Sequence, residues 1–539
     1  MNAAATLTLR VLSTLIREDV LGLRTRSTLV ERSDGSWLQL ELGGRLLALP
    51  VAEEGFQSEY GARRPLLEVD GDELTTLDEI LAVLRDLADR EDRGGYDTFA
   101  DECRQTLATM ELHDEVQAEV LAGLAERYGD DPTEWTGLGG SLAFDTLAAF
   151  LDHPVYPTAR GRLGLTTVQV RGYTPEFHPT FQLRWIAVPG PAKADWPTWW
   201  PTPADIGLPE LTDHTTLPLH PLTEVTFGVL GPVPYLDVVP TLSTRTVAVV
   251  QDPSCHLKLP MATATLGARN RRTIKAGVLV DGAAGERLVH EIIAKEPRFA
   301  TTILNADEQT YYESGDELLA VLLRRYPDDL DDALTVPLAA FTAQAPSGRR
   351  VIDHLADRFY DGKLHDLYDA LVTLLLDWQT TLFGYGIALE SHQQNTSVIF
   401  GRIDGKTRIR LLYKDNDGLR INLQRWPDRG AFTDERMFAD DDRALTDLFT
   451  TITIHLCTAS LAFELADSDL LAILRTRLTE AIDRLGPNGD ALRADLLDAD
   501  RLPVKAMITA GTLLSKQRSG AADINKHYTT GPNYLRLAR

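Results

Sequence analysis

Four stretches of this sequence bring together side chains able to grip an anion, move a proton or bind a metal ion. Residues 151–164 read Leu-Asp-His-Pro-Val-Tyr-Pro-Thr-Ala-Arg-Gly-Arg-Leu-Gly, so two prolines stiffen a predicted loop that carries His153, Arg160 and Arg162. Guanidinium forks on such a loop suit a carboxylate; a stiff turn with exposed arginines is the plainer alternative. Farther on, Ser243, Thr244 and Arg245 precede Lys258, Thr265 and Arg269. Alternating strand faces can converge these cations and hydroxyls on phosphates, or leave them as ordinary surface residues. Glu390, His392 and Asn395 follow a predicted strand at 386–389, which puts a carboxylate, an imidazole and amides at a strand end. Asp415 and Asp417 close the run Leu411-Leu412-Tyr413-Lys414 and suit magnesium or ribose hydroxyls. The same Asp-Asn-Asp-Gly is also ordinary turn chemistry.

The rest of the composition sharpens these readings. The chain has 539 residues with 54 Lys+Arg and 79 Asp+Glu, a formal charge of −25. Its mean field repels nucleic acid and anionic lipid, so an anionic ligand needs a local basic pocket. Apolar residues at 44% and charged ones at 25% are those of a globular protein of several packed units. Only Cys103, Cys255 and Cys457 occur, widely spaced, which fits a reducing compartment and implies a cytoplasmic protein. Arg10, Arg17, Glu18 and Asp19 interrupt the opening apolar stretch, so neither a signal peptide nor a membrane span is expected there.

Elements able to position these groups are legible in outline. Helical spacing marks 6–20, 75–91 and 99–127, and Gly43-Gly44 turns a hairpin between 38–42 and 45–49. From about 150 to 260, Pro-rich turns separate short apolar runs at 167–170, 183–188 and 246–250, which read as strands; 186–221 reads as a long irregular crossing. One long buried helix is expected near 349–383, then strands at 386–389, 397–400 and 408–413, and helices from 443 to the end.

Common nucleotide and metal motifs are missing. No Gly-rich loop ends in Gly-Lys-Ser/Thr, and no Gly-x-Gly-x-x-Gly follows a strand. Ala294 stands where a zincin would place its second histidine after His290-Glu291. Asp328, Asp329 and Asp332 match an acidic magnesium motif in form, yet read as a solvated helix start, as do residues 440–442.

In order and spacing, residues 153–164, Tyr173-Thr174-Pro175-Glu176-Phe177, Leu219-His220-Pro221, 243–246, Lys258-Leu259-Pro260, 390–395 and 415–418 resemble the aerobactin-synthetase-like (IucA/IucC) family of siderophore synthetases that work without a peptide-synthetase assembly line. The resemblance implies an α+β, hand-like fold of mixed helices and antiparallel sheets: a thumb at 1–149, β-rich fingers at 150–347 and a palm at 348–539. It implies ATP and Mg2+ between fingers and palm, with Ser243, Thr244, Arg245, Lys258, Thr265 and Arg269 on the phosphates. His392 and Asn395 would complete that site, Asp415 and Asp417 would face ribose or metal, and Glu390 and Asp417 would be metal ligands. Arg245, Lys258, Arg269 and His392 would be catalytic, and His153, Arg160 and Arg162 would bind the acid. The family pattern at the first motif is Gly-His-Pro-x-His-Pro-x-x-Lys, where this chain has Asp152, Tyr156 and Arg160; Leu222-Thr223 replace a usual Trp-Gln, and Pro532-Asn533 inverts a usual Asn-Pro.

The implied reaction adenylates a carboxylate and joins it to an amine or alcohol, releasing AMP and pyrophosphate, in a homodimer that binds neither nucleic acid nor membrane. Two rivals stay open: an ADP-forming phosphotransferase using the same cations, and a non-enzymatic ferric-siderophore binding protein.

Overall fold

The computed structural model describes residues 2–190, 195–520 and 527–537. The helix Ala3–Arg17 buries Leu7, Val11, Leu12, Leu15 and Ile16. Beside it, Gly35–Leu42 and Arg45–Glu53 form the expected hairpin, with Gly43 and Gly44 at φ 61° and 77° in a six-stranded sheet. The helices Leu77–Leu87, Arg93–Tyr128 and Gly137–Ala149 follow.

The run at 167–170 is helix rather than strand. Thr166 accepts from the Gln169 amide and Gln169 reaches back to Thr166, a capping box that starts the helix Thr167–Tyr173. An antiparallel eight-stranded sheet follows, ordered Asp307–Glu313, Ala320–Arg325, Asp252–Lys258, Thr246–Val249, Tyr235–Pro240, Phe181–Pro189 and His214–Leu219, with Val229–Leu230 on Phe181–Pro189. The crossing expected at 186–221 is thus strand at both ends, and its residues 191–194 lie outside the described residues. One face of the sheet is a core of Leu183, Trp185, Val247, Leu257, Val321 and Leu323.

A second sheet joins Ile303–Asn305, Lys406–Tyr413, Thr396–Ile403 and Leu334–Pro337, antiparallel except for its first pair. It draws two strands from each side of residue 347, so the two halves interlock there instead of meeting as separate units.

Two helices, Val351–Tyr360 and Leu364–Gly384, replace the single one expected at 349–383. Asp361 at φ 52° and Gly362 at φ 79° stop the first, a left-handed cap that hydrophobic spacing does not register. The helix Arg443–Glu464 is long and apolar enough to span a membrane, but 89% of its apolar window is buried in the core. The chain does not stay helical to its end: Arg501–Lys505 pairs with Tyr528–Pro532, burying Leu502 and Val504 on one face around Pro503, which a helix interior rejects. Residues 521–526 and 538–539 of that segment lie outside the described residues. Glu18 ties the two ends of the chain together by accepting from the Ile508 and Thr509 amides.

His220 gives this core a measurable acid sensitivity. It is fully buried between the rings of Tyr173 and Phe181, and burial holds its imidazole at about 3. Because the folded value lies below the ordinary 6.5, the contribution to stability is complete above pH 6.5 and is lost as pH falls toward 3, at about 1.4 kcal/mol per unit. Denaturant midpoints measured from pH 7 to pH 4 are expected to fall for the native chain and to fall less steeply for His220→Phe.

Candidate active site

Strand register builds the first wall of the site. His256 pairs with Arg324 and Lys258 with Leu322, so alternation carries these four side chains to the face opposite the apolar core. From that face Lys258 Nζ donates to Asp415 Oδ1 at 2.7 Å and to Asp417 Oδ2 at 3.2 Å. Arg324 donates Nη2 to Asp415 Oδ1 at 2.5 Å and Nε to Glu308 Oε1 at 2.6 Å. The Asp415 amide donates to the same Glu308 oxygen at 3.0 Å. Burial by itself raises the Asp415 carboxyl, but Arg324 and then Lys258 outweigh it and hold the group well below the usual carboxylate range. The Asp415 backbone is left-handed at φ 56°, so the turn aims both carboxylates back across the junction of the two sheets.

Arginines form the second wall. In the turn before the strand Thr246–Val249, Thr244 sits at φ 64°, a strained setting for a β-branched residue. There Ser243 Oγ accepts from the Thr246 amide and Thr244 Oγ1 accepts from Arg162 Nε at 3.3 Å. Arg245 donates to the carbonyls of Arg272 and Thr273 at 3.2 and 2.9 Å. Arg272 follows an extended pairing with Met261 and Thr263. Its Nε is buried and meets no partner among the described residues. Burial, then the neighbouring Arg245 and Arg162, lowers its guanidinium to about 9. Arg162, Arg245 and Arg272 are paired to no carboxylate among the described residues, although Asp415 and Asp417 lie within electrostatic range of Arg272. In a chain of charge −25, that is a site short of negative charge.

The third wall is the polar strand end. The Asn395 side chain donates to the Glu390 carbonyl at 3.4 Å, and Lys505 Nζ lies 3.6 Å from Glu390 Oε1. Burial, then Lys505, holds the His392 imidazole at about 4, so it is neutral at pH 7, and Asp415 and Arg272 also act on it. His153 adjoins it, lowered to about 3 by burial and then by His392. Thr265 Oγ1 is buried without a partner among the described residues.

Ser243, Thr244, Arg245, Lys258, His392, Asn395, Asp415, Asp417, Glu390, His153 and Arg162 therefore converge. Arg269 does not. Its guanidinium turns to the carbonyls of Ala510 and Leu514 and closes the end of the helical turn Thr509–Leu513, as cations do at helix C-termini. Arg160 is bound to Asp152 at 2.8 Å instead of standing free. Sequence reasoning missed Arg272, Arg324, Glu308 and Lys505. Arg324 carried a usable signal: it continues the Leu322 face of the run Ala320–Arg325, a charge at an inward position.

Oxygen-rich walls suit magnesium, and one glycine permits them. A Cβ at Gly418 would stand 2.2 Å from Glu390 Oε2 and 3.0 Å from Glu390 Cβ, so only glycine lets this carboxylate lie against the 415–418 turn. Gly418→Ala is expected to push the Glu390 carboxylate away from this turn while leaving the midpoint of thermal denaturation little changed.

The model of the IucA / IucC family matches residues 142–194 and 227–343, which carry the Arg162 loop, the arginine turn and Lys258. Over those residues the chain is similar to the IucA/IucC family. A second model, the ferric iron reductase FhuF-like transporter, matches residues 366–519. Among curated relatives, staphyloferrin B synthase of Staphylococcus aureus is 22% identical over 449 residues, 72% of this chain and 75% of that protein. Staphyloferrin A synthase of the same organism is 24% identical over 66% of this chain and 67% of its own. The chain also superposes on solved structures across 99% of its length: on the petrobactin biosynthesis protein AsbB from Bacillus anthracis with a TM-score of 0.73, 17% identity and 96% of that chain covered. On ATP-bound aerobactin synthetase IucA from Klebsiella pneumoniae the TM-score is 0.67, with 17% identity and 99% coverage of that chain. The α+β class of mixed helices and antiparallel sheets is the fold these proteins share.

Proposed function

We propose that this chain is an ATP-dependent siderophore synthetase that adenylates a carboxylate and condenses it with an amine or alcohol, releasing AMP and pyrophosphate. Three guanidinium groups without a carboxylate partner among the described residues, Arg162, Arg245 and Arg272, near Lys258 and the Asp415–Asp417 turn, are the observation that carries this assignment. The IucA structure to which the chain is similar is described as ATP-bound, and the staphyloferrin relatives are named synthases.

In this reading Arg245, Arg272 and Lys258, with the hydroxyls of Ser243, Thr244 and Thr265, hold the triphosphate. Asn395 and neutral His392 complete the pocket, and Asp415 faces ribose or metal. Glu390 and Asp417 hold magnesium, which when bound neutralises charge on phosphate oxygens. The substrate carboxylate attacks the α-phosphorus in line, and the fixed cations stabilise charge on the equatorial and leaving oxygens. The amine or alcohol then displaces AMP from the acyl adenylate, and orientation by the three walls supplies much of the rate. Arg269 has the separate task of fixing the 509–514 turn against the loop that bears Thr265. Three free, buried cysteines favour a cytoplasmic setting, and the family likeness favours a homodimer.

A hydroxylamine-trapping screen of carboxylates with ATP and magnesium tests the assignment. Acid-dependent hydroxamate with AMP supports it; ADP as the product replaces it with a phosphotransferase. The FhuF-like match raises an iron-handling alternative, but residues 366–519 contain one cysteine, the buried Cys457, and an iron–sulfur cluster takes four ligands.

A further inference from the structure

Between Met261 and Arg272 the chain forms a short hairpin. The Met261 amide donates to the Arg272 carbonyl at 3.0 Å, the Arg272 amide donates to the Thr263 carbonyl at 2.9 Å, and Ala264 bridges to Arg271 in antiparallel register. The base of the hairpin belongs to the site: Arg272 stands there with an Nε that meets no partner among the described residues, and Arg245 holds the carbonyls of Arg272 and Thr273. Its tip, residues 266–269, is gripped by other parts of the chain. Leu266 is left-handed at φ 55°, an unfavourable setting for leucine that persists only where neighbours hold it. The Ala268 amide donates to Glu102 Oε1 at 2.8 Å and reaches Thr512 Oγ1 at 3.2 Å, and the Arg269 amide donates to the Gly511 carbonyl at 3.2 Å. A Cβ at Gly267 would stand 3.1 Å from both Gly511 Cα and the Tyr156 hydroxyl, so the tip lies directly against these two segments. Glu102 is the node of the grip. It lies on the helix Arg93–Tyr128 and is only 4% exposed. Arg269 is in its electrostatic range but gives its guanidinium to the Ala510 and Leu514 carbonyls. Donors surround the carboxylate instead: Oε1 also accepts from the Thr512 hydroxyl at 2.6 Å, and Oε2 accepts from the Tyr156 and Thr158 hydroxyls at 3.2 and 3.1 Å. With the Ala268 amide these fill the lone-pair directions of the group, and one side chain ties together four segments far apart in sequence.

We propose that Glu102 is a positioning residue for the nucleotide: by fixing the tip of the 261–272 hairpin, it sets the direction in which Arg272, at the base, meets the triphosphate. This rests on the nucleotide reading of the site given above. A hairpin this short has no core of its own, so what holds its two ends fixes its tilt. Arg245 holds the base and Glu102 the tip. A charge misplaced by about 1 Å can cost on the order of 10²-fold in function even when the altered residue is remote. A glutamine at 102 keeps an oxygen for the Ala268 amide and turns its NH2 toward the Tyr156 and Thr158 hydroxyls, whose oxygens can accept; a methionine fills the same volume and offers neither.

The test measures the Kd of labelled ATP by equilibrium dialysis, with magnesium and no carboxylate, on the full chain carrying Glu102→Met or Glu102→Gln, each in the native and the Arg272→Ala background. Arg245 and Lys258 remain in that second background to hold ATP. Glu102→Met is expected to raise Kd about tenfold in the native background and by about twofold at most beside Arg272→Ala, with Glu102→Gln close to native. An equal factor in both backgrounds, or a Kd that does not move, overturns the proposal, because Glu102 then does not act through Arg272. Should Glu102→Met fail to fold by circular dichroism, Thr512→Val carries the same comparison, since it removes one donor to Glu102 and one acceptor of the Ala268 amide. A raised Kd that vanishes beside Arg272→Ala supports the proposal, and an equal or absent effect overturns it. A native chain that binds no ATP removes the nucleotide reading itself, and the proposal with it.

Discussion

Arg272→Ala is expected to lower kcat/KM for carboxylate-dependent AMP release by about 10²–10³-fold while leaving the unfolding midpoint unchanged or slightly raised. The guanidinium has a buried Nε with no partner among the described residues and lies beside Arg245 and Arg162, so its removal breaks no bond to that atom there and relieves like-charge repulsion. Such a cation is costly in the free protein and useful once an anion arrives. Arg269→Ala should show the opposite profile. It loses the bonds to the Ala510 and Leu514 carbonyls and is expected to cost about 1–3 kcal/mol of stability, with kcat/KM falling less than tenfold. Steady-state kinetics and thermal denaturation on the two variants separate the roles; equal kinetic losses would put Arg269 back among the phosphate ligands.

Arg324→Met carries the largest expected loss of stability, about 3–5 kcal/mol, because it leaves two carboxylates buried without their common cation. The Arg324 and Glu308 side chains are only 1% and 2% exposed, and Arg324 also holds Asp415. Burial already raises the Glu308 carboxyl, which Arg324 opposes, so the variant should take up a proton at Glu308 on folding and become more stable as pH is lowered through that group's range. The double variant Glu308→Leu, Arg324→Met is expected to recover much of the loss, since Asp415 keeps Lys258. Denaturant unfolding of the single and double variants tests this; additive losses would show that the three groups do not act as a unit.

What the residues disclosed depended on the range of the physics involved. The Gly43-Gly44 hairpin and the opening helix are local patterns, and they were legible because turn chemistry and helical spacing act over a few positions. Lys258, Asp415 and Asp417 stood out as types at strand ends, although their mutual pairing spans about 160 positions and no spacing rule reaches that far. Arg269 is implied by the family resemblance, and Arg272 is not. The backbone pairing of 261–265 with 270–272 turns Arg272 inward, and no hydrophobic alternation announced that short pair. The helix at 167–173 hid behind a β-branched composition until its capping box was seen in place. The break at Asp361-Gly362 interrupts an apolar stripe that stays in phase on both sides, so periodicity alone merges the two helices.

Exchange of labelled pyrophosphate into ATP is the most direct probe of the proposed acyl-adenylate chemistry beside the Lys258–Asp415–Asp417 cluster. The native chain is predicted to show exchange only when a carboxylate substrate is present, and Lys258→Ala to remain folded and show none. Label entering ATP equally well in the variant, or ADP accumulating with no exchange in the native chain, would contradict it.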